Sequence, residues 1–136
     1  MPCLSGEYDP TVGILLQVAV LPGGTFEQQS EGEARVFSGL VDTGADVTCI
    51  SNKVADFLDL QSTGKVPMVG ATGSDAVNQY LVDLLLQFGT QHIGIPDHRA
   101  ASFEAGSPHY DVLIGRDILC KGVLTMDFAG RFTFSV

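Results

Sequence analysis

One stretch limits what this chain can be more than any other: Leu40-Val41-Asp42-Thr43-Gly44-Ala45-Asp46-Val47-Thr48-Cys49-Ile50. It sets a single Asp-Thr-Gly turn between apolar, strand-like residues. Asp, Thr and Gly are ordinary turn formers, so the plain reading is a surface β-turn. Surface turns seldom carry runs such as Gly39-Leu40-Val41 and Val47-Thr48-Cys49-Ile50 on both flanks, however. The pattern wedges Asp42 between buried strands, where an ionised carboxylate is expensive unless hydrogen-bonded or shared. A carboxylate kept in such a place is a candidate reacting group.

The rest of the chain fits a small β domain built around that turn. Its 136 residues suffice for one domain, residues 1–136, with a modest core. Hydrophobic residues make up 45% and charged ones 17%, the balance of a globular rather than a disordered chain. Sixteen glycines and six prolines among many β-branched residues favour short strands and turns, hence an all-β fold. A net charge of −9 argues against nucleic acid as a partner, since phosphate binding needs clustered Lys and Arg. No run approaches the roughly 20 apolar residues of a membrane span. The opening Met-Pro-Cys-Leu-Ser-Gly-Glu lacks the basic and apolar regions of a secretory signal. Cys3, Cys49 and Cys120 are odd in number and have no CxxC spacing, which suits reduced thiols and a cytoplasmic location.

Periodicity places the elements. Residues 1–11 read as a loosely ordered N-terminal arm. Val12 to Leu21 alternates, with Ile14, Leu16, Val18 and Val20 on one face of a strand. Thr25 to Gly32 is a polar connection. Glu33 to Val41 then enters the Asp42 turn and Val47 to Ile50 leaves it. Ser51 caps a short helix with Val54, Phe57 and Leu58 facing inward. Val66 to Tyr80 forms a hairpin with an open tip, and Tyr80 to Phe88 is the clearest period-2 strand. Gln91 to Ile95 is a further strand, and Pro96 to His109 reads as a long polar loop. Asp111 to Gly115 is a strand, Arg116 to Lys121 a helical turn or two, and Val123 to Val136 a closing hairpin.

Three segments in order resemble the retropepsin-like aspartic proteases. They are the Leu40–Thr48 loop, Pro67-Met68-Val69-Gly70-Ala71-Thr72-Gly73, and Val112-Leu113-Ile114-Gly115-Arg116-Asp117-Ile118-Leu119. The resemblance spans Leu40 to about Phe128. It implies the retropepsin-like acid protease fold: closed, orthogonal β-sheets with a flap hairpin and one short C-terminal helix. It also implies an aspartic endopeptidase with Asp42 catalytic and water as nucleophile, needing neither metal nor organic cofactor. Val69, Gly70, Ala71, Thr72 and Gly73 would form the substrate-binding flap. Thr43 would lock two loops together, Gly44 would lie along the substrate backbone, and Gly115 would let strands approach closely. Asp46 and Arg116 match a buried or interfacial ion pair of the family, whereas Asp117 reads as a helix N-terminal charge. Ala45 stands where pepsin-like relatives often have Ser. Losing that hydroxyl donor predicts an optimum near pH ~5–6.

Chemistry of this class needs two carboxylates sharing a proton, one acting as base on water and the other as acid. A chain with one Asp-Thr-Gly therefore implies a symmetric homodimer acting on an extended peptide or protein. The alternative is a catalytically silent dimerisation or peptide-binding module of the same fold. Other motifs compete poorly. Thr63-Gly64-Lys65-Val66 is not a P-loop. His92, His98 and His109 lack metal-like spacing and read as surface residues. Ser107 is in no nucleophile elbow, and Cys49 and Cys120 read as small core residues. Ala71-Thr72 in place of a glycine-rich tip, the long loop after Pro96, and both termini depart from the compact viral pattern.

Overall fold

The computed structural model describes residues 3–28, 35–70, 73–88, 91–104, 109–127 and 129–136. Among these residues, ten strands and three short helices form a seven-stranded sheet and a three-stranded sheet. The larger sheet contains β2 (Leu15–Pro22), β3 (Arg35–Val41), β4 (Cys49–Ser51), β5 (Gly64–Gly70), β6 (Gly73–Phe88), β7 (Gln91–Phe103) and β8 (Val112–Ile114). Its order is β2-β3-β8-β4-β7-β6-β5, and β2 also pairs with β6. That extra pairing closes six strands into a barrel and leaves β5 outside, attached only to β6.

Alternation in the sequence explains the barrel interior. Ile14, Leu16, Val18 and Val20 are buried as their spacing requires, and so are Tyr80, Val82, Leu84 and Leu86. Each such aliphatic side chain stabilises the fold by about 1.5–3 kcal/mol when fully buried. Ala19 and Leu21, on the other face of β2, are buried as well. Two-sided burial suits a strand held between β3 and β6.

The smaller sheet has the order β1-β10-β9, built from β1 (Cys3–Glu7), β9 (Val123–Met126) and β10 (Arg131–Ser135). Here the expectation of a loose N-terminal arm is corrected. β1 pairs along its length with β10, from Cys3↔Ser135 to Glu7↔Arg131, and Leu4 is fully buried. One apolar residue in a polar segment is enough to anchor it when a partner strand is in place.

The region after Pro96 is likewise corrected. β7 runs unbroken to Phe103, because Ala100, Ala101 and Ser102 are small enough to bury against β4 and β6. The irregularity suggested by Pro96 is a register shift between Val82 and Leu84, opposite Asp97 at φ 48°. Asp83 turns inward there and is fully buried. Its carboxylate accepts backbone N–H groups from Gly24 (3.3 Å), Phe26 (2.7 Å) and Asp97 (2.8 Å). Three donors make a buried carboxylate tolerable, and they pin α1 (Thr25–Gln28), within the segment expected to be a plain connection, onto the barrel.

α2 (Asn52–Phe57) has the expected cap: Ser51 Oγ accepts the Val54 N–H at 3.3 Å. Its inward residues are Val54 and Ala55, not Phe57, which is 60% exposed. Phe57 meets Phe37 edge-on at 6.4 Å between ring centroids, under the Arg35 guanidinium. Cys120 is exposed rather than core, since it caps α3 (Arg116–Leu119) on its outer side.

Candidate active site

The turn bearing Asp42 is held by a strand distant in sequence. β3 runs parallel to β8, pairing Gly39↔Val112, Leu40↔Leu113 and Val41↔Ile114. β4 runs antiparallel to the same strand, pairing Cys49↔Leu113 and Ile50↔Val112. The arm entering the turn and the arm leaving it thus grip β8 from opposite sides. Asp42 N–H donates to the Ile114 carbonyl at 2.9 Å, and Arg116 N–H donates to the Ala45 carbonyl at 2.9 Å.

Within the turn, Asp42 Oδ1 accepts the Gly44 N–H at 2.9 Å, and Ala45 N–H donates to the Asp42 carbonyl at 3.2 Å. Asp42 is half-buried, while Thr43 and Gly44 are exposed. One carboxylate oxygen is thus fixed by its own loop in a partly open position. Asp46 pairs with Arg116 across the start of α3, and both side chains are largely exposed, 81% and 51% respectively. In the single chain the pair is on the surface, so the buried form of that expectation is not met.

Gly115 joins β8 to α3 at a point with no room for a side chain. A Cβ there would lie 2.5 Å from the Val47 carbonyl carbon and 2.6 Å from its oxygen. Backbone atoms cannot swing aside as a side-chain tip can, so glycine is a packing requirement here. Gly39 is similarly crowded: a Cβ would sit 2.6 Å from Val18 Cγ2.

Sequence reasoning missed the hub beneath the turn. Thr48 is fully buried, and its hydroxyl donates to Asp117 Oδ1 at 2.7 Å while accepting the Gly115 N–H at 3.1 Å. Thr48 N–H donates to Asp117 Oδ2 at 2.9 Å, and His98 Nε2 lies 2.7 Å from the same oxygen. Asp117 also accepts the Ile118 N–H at 2.9 Å, so it does serve the helix start as expected. Burial pushes its carboxyl up, but hydrogen bonds from His98 and Thr48 outweigh that and hold it below the ordinary carboxylate value. His98, expected on the surface, has a side chain only 14% exposed. The bulge before it re-aims β7 toward α3, and no local sequence pattern signals such a turn.

Cys49 lies under the same loop. Burial, then the negative charges of Asp117 and Asp42, push its thiol up to about 11. It stays a protonated core thiol rather than a nucleophile.

β5 and β6 form a hairpin paired from Gly64↔Gln79 to Gly70↔Gly73. Ala71 and Thr72, expected at the flap tip, lie outside the described residues, and for Val69, Gly70 and Gly73 the backbone pairing is what the structure gives. An open cleft of about 370 Å³ separates the hairpin from the Asp42 loop. Gly44, Ala45, Asp46 and Val47 line its floor, and Pro67 and Met68 line the hairpin side.

The closed β-barrel thus holds the Asp42-Thr43-Gly44 turn between two strands, with Gly44, Ala45 and Asp46 of that loop on the floor of a cleft under the β5–β6 hairpin. The family described as "gag-polyprotein putative aspartyl protease" matches residues 31–121. The chain belongs to that family. No curated protein matches the sequence. Among solved structures, a retropepsin-like aspartic protease from Rickettsia conorii superposes with TM-score 0.62 at 10% identity, covering 98% of this chain and 90% of that one. EIAV protease complexed with the inhibitor HBY-793 superposes with TM-score 0.55 at 17% identity, covering 85% and 93%. At these identities the likeness is one of fold.

Proposed function

We propose that this protein is an aspartic endopeptidase whose active site is completed by a second copy of the chain. The observation that carries this reading is the placement of Asp42. Its carboxylate accepts the Gly44 N–H at 2.9 Å, and Gly44, Ala45 and Asp46 of the same loop line a cleft beneath the β5–β6 hairpin. The other acid of the loop, Asp46, is engaged by Arg116 and makes a poor proton-sharing mate. The second carboxylate is therefore Asp42 of the partner subunit, brought in by a twofold axis.

In the dimer, one Asp42 is ionised and draws a proton from water as it attacks the peptide carbonyl. The other is protonated and gives its proton to the carbonyl oxygen; the proton taken from water then passes to the nitrogen as the C–N bond breaks, and the proton on the oxygen returns to its carboxylate as the carbonyl reforms. Two like charges so close cannot both ionise easily, which keeps the pair in this mixed state. Thr43 and Gly44, exposed in the single chain, face the partner loop and the substrate backbone. Substrate lies extended between loop and hairpin, paired through its backbone, with the hairpin from Val69 to Gly73 closing over it as a flap.

The test is cleavage of a diverse peptide pool between pH ~4 and ~7, read by mass spectrometry, with oligomeric state measured on the same samples. Wild type should cut and Asp42→Asn should not, while both remain dimers. Equal cutting by the two would refute the assignment. A wild-type dimer that cuts nothing would favour a silent binding module.

A further inference from the structure

We propose that His98 is a positioning residue for Asp42, acting on it through Asp117, Thr48 and the Ile114–Gly115 peptide. This rests on the protease reading above and adds a group that works on the reacting loop from outside the cleft.

One peptide unit joins the hub to the loop. The Ile114 carbonyl accepts the Asp42 N–H at 2.9 Å. The N–H of that same planar unit belongs to Gly115 and donates to Thr48 Oγ1 at 3.1 Å. A shift of Thr48 therefore tilts the plane that fixes the Asp42 backbone. Gly115 has little room to absorb the tilt, since even a Cβ there would lie 2.5 Å from the Val47 carbonyl carbon.

Asp117 sets the direction of every hydrogen bond in the hub. Held below the ordinary carboxylate value, it is an anion that can only accept. The Thr48 hydroxyl must give its one hydrogen to Asp117 Oδ1, at 2.7 Å, which leaves its lone pairs to take the Gly115 N–H. Three donors in series, Asp42 N–H, Gly115 N–H and Thr48 O–H, thus point toward Asp117, and each polarises the next. His98 meets the carboxylate from the other end. Its Nε2 must carry a hydrogen, because the oxygen 2.7 Å away has none to give.

His98 also closes a ring. Ala101 N–H, three residues along β7, donates to the Thr48 carbonyl at 3.1 Å. Thr48 in turn holds Asp117 on α3, and Asp117 holds His98 back on β7. Without the imidazole the ring is open, and the Asp117 carboxylate is free to turn about its contacts with Thr48. The aim of His98 is itself fixed by the preceding residue. Asp97 has φ 48°, a conformation uncommon for a side chain with a Cβ, and its N–H is tied to the buried Asp83 at 2.8 Å. Among the described residues, His98 lines a separate open cavity of about 450 Å³ with Ile95, Ile118 and Phe134, and not the cleft under the hairpin. Its effect on the reaction must pass through the hub.

The experiment compares wild type, His98→Leu, His98→Asn and His98→Gln, each shown to be dimeric, by peptide cleavage, urea unfolding and residue-resolved amide hydrogen exchange. Leucine fills the half-buried site but offers Asp117 no donor. Glutamine brings an amide N–H to about the reach of Nε2, and asparagine carries the same amide one methylene short. His98→Leu should lower kcat by about tenfold to a hundredfold with KM unchanged. Exchange at the Asp42 and Gly115 amides should quicken while the β5–β6 ladder exchanges as in wild type. His98→Asn should follow leucine, and His98→Gln should recover most of both losses. A purely structural role would instead move the unfolding midpoint and all amides together, with no split between kcat and KM. Unaltered exchange at Asp42 and Gly115 in His98→Leu and His98→Asn overturns the proposal, as does a glutamine variant no better than asparagine. Should His98→Leu fail to fold, the asparagine and glutamine pair decides alone. If wild type cuts and the leucine and asparagine variants cut equally well, His98 is no positioning residue while the protease stands. If wild type cuts nothing, yet exchange at Asp42 quickens with asparagine and recovers with glutamine, His98 does position Asp42 and the protease reading falls.

Discussion

The loop under the cleft and the hairpin above it are both β structure rich in glycine, yet they are built on opposite principles. The loop has its two arms gripping β8, a fully buried threonine beneath it, and Gly115 pressed against its backbone. The hairpin is a two-stranded ladder whose outer strand, β5, has one neighbour; Lys65 and Pro67 on β5 and Ala76 on β6 are exposed. In the first, glycine serves close approach, since a Cβ at Gly115 would meet the Val47 backbone. A reacting carboxylate must be held to a fraction of an ångström, whereas a cover over variable side chains gains from yielding. Stability should therefore be concentrated below the cleft and sparse above it.

The sharpest way to break that contrast is at Gly115. Gly115→Ala drives a methyl group into the Val47 carbonyl carbon and oxygen, 2.5 and 2.6 Å from where the Cβ must be. Either β8 moves or the arm leaving the Asp42 turn does. The expected loss is about 3–4 kcal/mol in urea unfolding, near the upper range for a single substitution. A loss below about 1 kcal/mol would mean that the loop yields as easily as the hairpin.

Next in size is Asp117. Replacing it by Ala strips acceptors from the Thr48 N–H and hydroxyl and from His98. Thr48 is fully buried, so those donors find no water, and the cost is about 2 kcal/mol. The pH dependence carries a sign. Asp117 has a folded-state pKa below its ordinary 3.8, so its contribution is present above that value and fades as pH falls through the lowered one. Wild type should lose stability over that acid window more steeply than Asp117→Asn, which has no carboxylate to protonate. Parallel acid limbs in the two proteins would remove Asp117 as the tether of the loop.

How far these features could be read beforehand depends on how local their cause is. The Asp42 turn, β2, the barrel half of β6 and the Ser51 cap declare themselves through neighbours in sequence: alternating Leu and Val, or a serine before a helix. Gly115 was readable through family resemblance, since a glycine ending an apolar strand says nothing by itself about the backbone it meets. The hub of Thr48, Asp117 and His98 was not readable at all. Its members are separated by up to 69 positions and meet because β7 bulges at Asp97. Phe57 was misplaced because helical periodicity over six residues cannot tell a core face from one shielded by an aromatic neighbour and Arg35. The strand at the N-terminus escaped notice because its partner, β10, is at the other end of the chain.

The smallest expected change in stability is on the hairpin, and there the comparison is most informative about function. Met68 is half-buried and lines the cleft opposite Ala45 and Val47. Met68→Ala removes flexible apolar surface from a ladder that the barrel does not need, so unfolding should shift by about 0.5 kcal/mol. Under the protease reading its effect should appear in substrate binding: a raised KM for peptides with bulky apolar side chains, with kcat little altered, as expected when uniform binding is lost. Gly115→Ala should do the reverse, lowering kcat through a displaced Asp42 even where enough protein stays folded to bind. If Met68→Ala instead lowers kcat as severely as Gly115→Ala, the hairpin positions the reacting groups as tightly as the loop does, and the division between a fixed floor and an adaptable cover fails.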